Sequence, residues 1–510
     1  MTEHWRPRHN PWAIAFTVTL ATFMEVLDTS IANVSLPHIA GNLSEGIDAS
    51  TWVLTSYLVA NAVVLPISGW LSSRIGRKRF YMGCVAVFTL SSFACGLAPN
   101  LPLLIVFRIL QGAGGGGLQP SEQAILADTF PEEKRGMAFA IYGMAVVLAP
   151  AIGPTLGGFI TDNFSWRWIF FINVPVGIVS LILSQRLVED PPWVRARGRS
   201  IRIDYIGLGL IVLGLGALQF VLDKGQRDDW FGSTLICVMF ATSLIAIAAT
   251  IFWELRAEHP IIELRLLGNR NFAVACVMMF VLGVVLFGST VILPQYVQVV
   301  MGWSAEDAGK ILSPGGLVVI LMLPFVGRLL GKVDGRWLIA FGFAISAVAL
   351  FHMTGIYPGI SFWTAVKYRM FQSVGLAFLF IPITTASYVG IPHEKNNQVS
   401  ALTNLARNVG GGVGISIAQT ILARRAQFHQ TQLVSHVTPY SPALRKMVEG
   451  LAHVVTYPRR AYAIIYGMVQ QQAATLAFID TIWLLAIGCA ILTPLAFLMR
   501  RAKPGAAMMH

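Results

Sequence analysis

Two carboxylic acids stand out because they interrupt a long apolar segment near the start of the chain. Glu25 and Asp28 are three residues apart, so a helix puts both on one face. An ionisable group in hydrocarbon costs about 2.5–3.5 kcal/mol on insertion scales, so such groups are kept for a function or a specific partner. Burial and a second nearby carboxylate both favour the neutral form of a carboxyl group. An acid of this kind can take up a proton on one side of a membrane and release it on the other.

Arg108, in a later apolar segment, is a suitable partner for one of these acids. It lies about two helical turns from the end of its segment, a depth similar to that of Asp28. We predict that Asp28 pairs with Arg108 and that a proton or a cationic substrate releases the pair. A permanent structural ion pair is the alternative. For Glu25, a proton-transfer role and a hydrogen-bonded structural role both stay open.

Two more ionisable residues lie within apolar segments. Glu122 is predicted either to pass a proton towards the inside or to cap the adjoining loop. Arg407 has no acid at equal depth in its part of the chain, and it either binds an anionic group of the substrate or donates to backbone carbonyls. The residues predicted to contact substrate are Asn33, Gln111, Gln295 and Arg407.

The composition indicates which elements carry these residues. The 510 residues are 55% hydrophobic and only 12% charged, about half the charged fraction of soluble domains. This excludes a soluble enzyme, a disordered chain and a disulfide scaffold. The net charge of +12 is explained by basic cytoplasmic loops rather than by nucleic-acid binding. The five cysteines lie in apolar runs, so neither disulfides nor a metal site is expected.

A helix of about 20 apolar residues crosses about 30 Å of hydrocarbon. The sequence therefore predicts an all-α polytopic membrane protein with fourteen transmembrane helices. The predicted spans are 11–36, 50–72, 79–98, 102–127, 136–160, 168–187, 204–222, 233–253, 270–299, 306–330, 336–354, 362–389, 397–423 and 478–499.

Lysine and arginine are spread unevenly over the predicted loops, with about 23 on one side and about four in the short loops of the other. This bias predicts that both termini are cytoplasmic. The polar stretch 424–477 is then a long loop outside the membrane, with a short helix near 460–476.

An internal repeat divides the chain. Arg108–Gly114 reappears as Arg369–Gly375 at an offset of 261 residues, and Pro131–Lys134 reappears as Pro392–Lys395 at the same offset. The shift of eight spans is even, so both copies share one orientation, as in six-helix halves related by an axis along the membrane normal. The predicted parts are a six-helix half at 1–188, linkers with two inserted helices at 189–269, and a second half at 270–510.

Several motifs resemble those of the 14-span drug:proton antiporters of the major facilitator superfamily, the EmrB/QacA group, and especially its EmrB-type pumps. Leu27–Pro37 resembles LDxTxxNVALP, and Gly69–Arg77 is similar to the loop motif GxLaDrxGr. Arg108–Gly112 resembles RxxQG, and Ala149–Gly158 resembles the antiporter motif GxxxGPxxGG. Three positions depart from these patterns: Ser73 for Asp, Ser30 for Thr and Ala149 for Gly.

The resemblance implies a secondary exporter of hydrophobic and amphipathic drugs that exchanges them for protons by alternating access. No cofactor is expected besides the proton gradient, and the acids facing the cavity should favour lipophilic cations. The basic turn after the second span is expected to anchor the chain in the cytoplasm and also to act as a gate, because its guanidiniums can bond helix ends when the inside is closed; the gating residues are Gly69, Arg74, Gly76 and Arg77. For Gly153, Pro154, Gly157 and Gly158, a barrier against proton leak and a simple helix kink are the alternatives.

The resemblance also implies a location in the cell inner membrane, a periplasmic membrane-fusion adaptor and an outer-membrane channel. The 424–477 loop is the predicted adaptor contact. The run Gly112–Gly117 contains GxGxxG, but it lies inside a predicted span and is interpreted as a surface for close helix packing. Two other functions stay open: a proton-coupled symporter or exporter of a specific metabolite in the same fold, and a non-transporting membrane sensor.

Overall fold

The computed structural model describes residues 7–192, 204–258, 260–452 and 458–499, and every regular element in these ranges is a helix. Both ends of the chain and residues 193–203 of the predicted linker lie outside the described residues. The long helices are α1 Pro11–Asn42, α2 Trp52–Ile75, α3 Arg77–Leu97, α4 Leu101–Gly115, α5 Leu118–Thr129, α6 Glu132–Asn163, α7 Asn173–Leu187, α8 Tyr205–Lys224, α9 Thr234–Arg256, α10 Arg270–Val299, α11 Ala305–Leu329, α12 Gly335–Met353, α13 Phe362–Ser387, α14 Asn396–His436, α15 Pro442–Ala452 and α16 Pro458–Leu492.

Helices occupy all fourteen predicted positions, but not all of them look like membrane spans by composition. Within the described ranges, twelve are long and apolar enough to cross a membrane when α4 and α5 are taken as one span and α7 is joined to the short helix Trp168–Phe171 before it. A thirteenth is α6, whose two parts meet at a bend of 42° between Pro150 and Ile152. The remaining helix, α14, is not among these spans, and it packs against α2, α10 and α16.

The prediction of a long loop over 424–477 is wrong in its secondary structure. Helix α14 continues to His436, α15 follows, and α16 begins at Pro458. The short helix expected near 460–476 is the first part of α16. The loop was predicted because this stretch has low hydropathy. Low hydropathy does not prevent a helix, and the Gln, Arg and Ala residues of the stretch are good helix formers. Helix α14 ends shortly before Pro439, and proline disfavours helical backbone in the residue before it.

Packing sorts the helices into two sets. In the first helix set, α1–α7, α1 packs on α6 and α7, and α4 packs on α2 and α3. In the second helix set, α10–α14 with α16, α14 packs on α10 and α16, and α13 packs on α11 and α12. The two sets meet along α6 with α11 and along α2 with α14.

The inserted helix α8 lies beside the contact between α2 and α14. Its Lys224 Nζ donates to Thr51 Oγ1 at 2.7 Å, and Asp223 accepts from Thr55 on α2. Just after α8, Trp230 Nε1 donates to Thr420 Oγ1 on α14 at 3.1 Å. Helix α8 is therefore tied to both helix sets.

The glycine run in the fourth predicted span is a helix-packing surface, as predicted. A Cβ on Gly114 would lie 2.7 Å from the backbone nitrogen of Phe88, and one on Gly116 would lie 2.6 Å from the carbonyl oxygen of Asn61. Larger residues would push α2 and α3 away. The run also contains the break between α4 and α5.

Candidate functional site

Asp28 and Arg108 form a buried ion pair inside the first helix set. Arg108 Nη1 lies 2.6 Å from Asp28 Oδ2. The side chain of Arg108 is 0% exposed and that of Asp28 is 1% exposed. The pair predicted from the sequence is therefore present. Asp28 Oδ1 also accepts from Asn173 Nδ2 at 2.7 Å and from Gln111 Nε2 at 3.0 Å. A buried pair with this many hydrogen bonds costs about 3–5 kcal/mol to break by removing one partner.

The guanidinium of Arg108 is held on several edges. Its Nε donates to the Val53 carbonyl at 2.9 Å, and Nη1 donates to Gln111 Oε1 at 2.8 Å as well as to Asp28. Its centre lies 4.3 Å from the centroid of the Tyr57 ring. These contacts depend on the planar shape and the position of the guanidinium, and a lysine side chain cannot reproduce them.

Glu25, one turn before Asp28, faces a different environment. Its Oε1 accepts from Asn61 Nδ2 at 3.1 Å and from Tyr57 Oη at 3.3 Å, and its Oε2 accepts from Gln119 Nε2 at 2.8 Å. All three donors are neutral. Within the described ranges Glu25 has no lysine or arginine at salt-bridge distance, although it is only 4% exposed.

A cavity of about 220 Å³ lies between the two helix sets, and Glu25 is part of its wall. Asp28 is not among the residues that line it. Aliphatic and aromatic side chains make up much of the wall. Its polar residues include Glu25, Asn61, Gln119, Thr290, Arg369 and Arg407.

Of the four residues predicted to contact substrate, the cavity wall includes Arg407. Gln111 is buried against Asp28 and Arg108. Gln295 pairs with Gln419, its Oε1 accepting from Gln419 Nε2 at 2.8 Å. Asn33 is exposed on the surface of α1. The structure therefore keeps three of these residues outside the lining of this cavity.

Arg407 bonds to side chains rather than to backbone carbonyls. Its Nη2 donates to Gln119 Oε1, and its Nη1 lies 3.3 Å from the Tyr142 hydroxyl. Since Gln119 also donates to Glu25, one amide connects an acid of the first helix set with an arginine of the second. The sequence did not single out Gln119. The sequence feature that could have indicated Gln119 is its polar side chain within an apolar span, three residues before Glu122.

Glu122 is fully buried in α5, with its Oε1 accepting from Thr19 Oγ1 on α1 at 2.6 Å. Its partner is a helix residue, so the structure gives no support to the loop-cap alternative. Asn173 is a second residue missed by the sequence. Asn173 lies in an apolar run, where an amide side chain is unusual, and this feature could have indicated a buried polar contact.

We call the end of the bundle that holds Arg77, Asp128 and Asn396 the basic end, and these three residues the latch. Arg77 and Asp128 form a buried ion pair, and Asn396 Nδ2 donates to Asp128 Oδ1 at 2.5 Å. Nearby, Asn404 Nδ2 on α14 donates to Gln123 Oε1 on α5 at 2.8 Å. The latch thus joins the two helix sets at this end.

The predicted gating residues surround the latch. Gly69 packs on α14, where a Cβ would lie 2.9 Å from the Asn397 carbonyl. Gly76 has φ of +97°, which favours glycine, and it turns the chain between α2 and α3. The Arg74 guanidinium lies 5.8 Å from the Trp70 ring. At the position that departs from the motif, the Ser73 hydroxyl donates within its own helix to the Trp70 carbonyl at 2.7 Å.

The antiporter motif joins α6 to α1. Pro154 has no N–H, which leaves the Pro150 carbonyl without its helical donor, and Ser30 Oγ lies 3.4 Å from that oxygen. Gly153 makes room for Ser30, because a Cβ there would lie 2.5 Å from Ser30 Cβ. Gly157 packs on Ile31, whereas a Cβ on Gly158 would meet open space. The motif is therefore both a bend and a close helix contact.

Comparison with known proteins decides the family. The family model described as Major Facilitator Superfamily matches residues 18–415. The chain belongs to the major facilitator superfamily. It is a transporter rather than an enzyme, and the predicted all-α fold of this superfamily is confirmed.

Similar superfamily members include Multidrug export protein EmrB of Escherichia coli (strain K12), 37% identical over 465 residues, which cover 90% of this chain and 87% of that protein. Fatty acid resistance protein FarB of Neisseria gonorrhoeae is 37% identical over 494 residues, 96% of each chain. The predicted relation to EmrB-type proteins is therefore confirmed. Among solved structures, the proton:xylose symporter XylE has a TM-score of 0.60 at 15% identity, covering 97% of both chains, and it supports the fold alone.

Proposed function

We propose that this protein is a proton-coupled secondary exporter of hydrophobic and amphipathic drugs and other toxic compounds. Relatives named as multidrug export proteins support the drug-export part. The observation that carries the proton coupling is the arrangement of two acids on α1. Asp28 is enclosed in an ion pair with Arg108, and Glu25, one turn away, belongs to the cavity wall.

In this proposal, Asp28 is the main exchange site. A proton on Asp28 removes the negative charge that Arg108 faces, so the arginine must reorient towards its other acceptors, Val53 and Gln111. This movement changes the packing of α1 on α4, and Glu25 transmits it to the cavity. Glu122 on α5, which accepts from Thr19 of α1, is the next proton site towards the basic end.

Alternating access then requires the latch to open and close as the two helix sets rock around the cavity. Gly69, Arg74, Gly76 and Arg77 act as the gating elements, because Arg77 belongs to the latch and the other three lie beside it on α2 and the turn that follows. Gly153, Pro154 and Gly157 keep α6 close to α1, which limits proton leak beside the acids, whereas Gly158 faces open space and takes no part in this contact.

We further propose that the protein resides in the cell inner membrane with its basic end and both termini in the cytoplasm, as the lysine and arginine bias supports. It then acts as the inner-membrane part of a tripartite pump with a periplasmic membrane-fusion adaptor and an outer-membrane channel. The helices within 424–477 extend at the opposite end and are the proposed adaptor contact.

Transport by the purified protein in proteoliposomes with an imposed pH gradient tests the proposal. Wild-type protein should exchange an amphipathic drug for protons, and Asp28→Asn should lower drug-dependent proton flux at least tenfold. Asp162→Asn is the matched control, because Asp162 has a side chain 67% exposed and lies away from the cavity wall. Wild-type rates in Asp28→Asn would contradict the coupling role, and drug movement in the same direction as protons would identify a symporter.

A further inference from the structure

A groove on the outer surface of the helix bundle lies between α12 and α13, away from the cavity between the two helix sets. Its volume of about 630 Å³ falls within the roughly 300–1,000 Å³ that is typical of small-molecule sites. Helix α13 ends at Ser387, shortly before the latch residue Asn396, so the first turns of α13 and the last turns of α12 lie at the end opposite the basic end. Both helices are long and apolar enough to span a membrane. The groove therefore opens towards the lipid of the leaflet at that end.

Lys367, on the wall that α13 contributes to the groove, is a cation without a counter-ion. It is exposed, and within the described ranges no carboxylate lies within 4.0 Å of its Nζ. Lys367 lies five residues after the start of α13, about 8 Å along the helix axis and inside a candidate membrane span. A lysine inside a span is costly unless its ammonium reaches the membrane interface and meets a counter-ion there.

Other cations at this end of the molecule are matched by groups of the protein itself. Lys310 Nζ lies 2.7 Å from Glu306 Oε1, and Arg167 donates to backbone carbonyls at the end of α3. The turn between α12 and α13 offers Lys367 no such partner, because residues 354–361 include neither Asp nor Glu. Lys367 is therefore suited to an anion that comes from outside the protein.

The rest of the groove combines one more nitrogen donor with apolar surface. His352 lines it from the last turn of α12, and the centroid of its ring lies 5.1 Å from that of the Tyr368 ring. Val348, Phe351 and Phe371 line the groove as well, and the first two are exposed. A ligand that satisfies both parts has an anionic headgroup and an apolar body. The described lining includes no acid, so the ammonium of a zwitterionic headgroup would find no counter-ion in the groove.

We infer that this groove binds an anionic phospholipid of the surrounding membrane. Its phosphate lies against Lys367 and His352, and an acyl chain lies along Val348 and Phe371. Hydrogen bonds from lysine to phosphate are charge-assisted and stronger than neutral ones. A lysine near the membrane surface also attracts anionic lipids over zwitterionic ones. The site is separate from the cavity, so the inference does not depend on the proposed export function.

Photo-crosslinking of the full-length protein in nanodiscs tests the site without an activity measurement. The probes are phosphatidylglycerol and phosphatidylcholine with the same diazirine-bearing acyl chains, added in small amounts to phosphatidylcholine nanodiscs. Peptide mass spectrometry then locates the labelled positions. In the wild-type protein, phosphatidylglycerol should label residues 348–371 at least fivefold more than phosphatidylcholine does.

Two lysine variants assign this preference to the groove. Lys367→Gln should remove the difference between the two probes at residues 348–371 and leave labelling at the basic end unchanged. Lys310→Gln is the matched control, because it removes a lysine at the same end of the molecule that pairs with Glu306 outside the groove. Its labelling should equal that of the wild-type protein.

A charge reversal and a soluble competitor complete the test. Lys367→Glu should lower phosphatidylglycerol labelling of the groove below that of phosphatidylcholine. Glycerol phosphate in large excess should not displace the lipid, because it lacks the apolar body. Equal labelling by both probes in the wild-type protein would overturn the proposal, as would an undiminished preference in Lys367→Gln. Displacement by glycerol phosphate would instead identify a site for free phosphate esters and refute the lipid.

Discussion

Glu25 on α1 and Arg407 on α14 are connected through one side chain, the amide of Gln119. The amide nitrogen donates to the carboxylate at 2.8 Å, and the amide oxygen accepts from the guanidinium. An amide has a donor end and an acceptor end, so an ionised acid on one side and a cation on the other determine its orientation. A proton on Glu25 weakens that preference, and Gln119 passes the change to the second helix set.

Gln119→Leu should uncouple the two sides because it removes the hydrogen bonds to Glu25 and Arg407, together with the one that Oε1 accepts from the Tyr142 hydroxyl, while keeping a similar volume. We expect drug movement to continue with at least a threefold lower number of protons exchanged per drug. Parallel measurements of drug and proton flux in proteoliposomes check this. Gln295→Leu is the matched control, as it breaks an amide pair with Gln419 away from the cavity wall. An equal loss in both variants would contradict a specific role for Gln119.

Arg108→Lys should lower transport about tenfold or more, although it keeps the positive charge. Lysine cannot bond Asp28, Gln111 and the Val53 carbonyl in one plane, and each lost hydrogen bond to a charged group is worth about 1.5–3 kcal/mol. Transport assays on protein of verified thermal stability check this. Arg425→Lys serves as the comparison, since Arg425 pairs with Asp480 outside the cavity wall. Normal transport by Arg108→Lys would show that the geometry of the pair is not needed.

Gly153→Ala should destabilise the protein by about 1–3 kcal/mol, the usual cost of overpacking, because the added methyl group meets Ser30 on α1. Gly158→Ala should leave stability nearly unchanged, since nothing lies within 4 Å of the added carbon. Thermal unfolding in detergent measures both. Passive proton leak through proteoliposomes should rise in the first variant only. Identical melting temperatures would refute the close contact.

Asn396→Ala should loosen the latch without leaving Arg77 unpaired, because the Arg77–Asp128 pair remains. We expect a larger population with a separated basic end, seen as longer distances between spin labels at Ile75 and Glu394 in a background without native cysteines. Asn163→Ala is the control, because the Asn163 amide donates to the Phe159 carbonyl within α6 at the other end. Unchanged distance distributions would argue against the latch.

The sequence was sufficient for the positions of the fourteen predicted helices and for the contacts that depend on depth alone, but not for the helices over 424–477. Apolar length predicted the helix positions, and Asp28 met Arg108 because each lies at a similar depth in its helix. The glycine run also behaved as predicted, since the lack of side chains favours close packing wherever the neighbours lie.

The sequence did not predict how each helix is rotated about its axis, and so which of its faces points to the cavity. Gln111, Gln295 and Asn33 lie in or beside spans as expected, yet none belongs to the cavity wall. Which face of a helix meets the cavity depends on packing with distant segments. The partner of Gln295 is 124 residues away, and nothing local to either residue indicates the other. Gln119 was missed for the same reason.

Helix α14 has a length that matters beyond the cavity. Its 41 residues extend for about 60 Å, roughly twice the hydrocarbon thickness of a bilayer. It begins at Asn396, in contact with Asp128, and continues without interruption to His436. A continuous rod of this kind acts as a lever: a tilt of a few degrees near Asn396 sweeps its far tip sideways by several ångströms. Whatever touches that tip can sense, by mechanical displacement alone, whether the latch at the other end of the helix is shut.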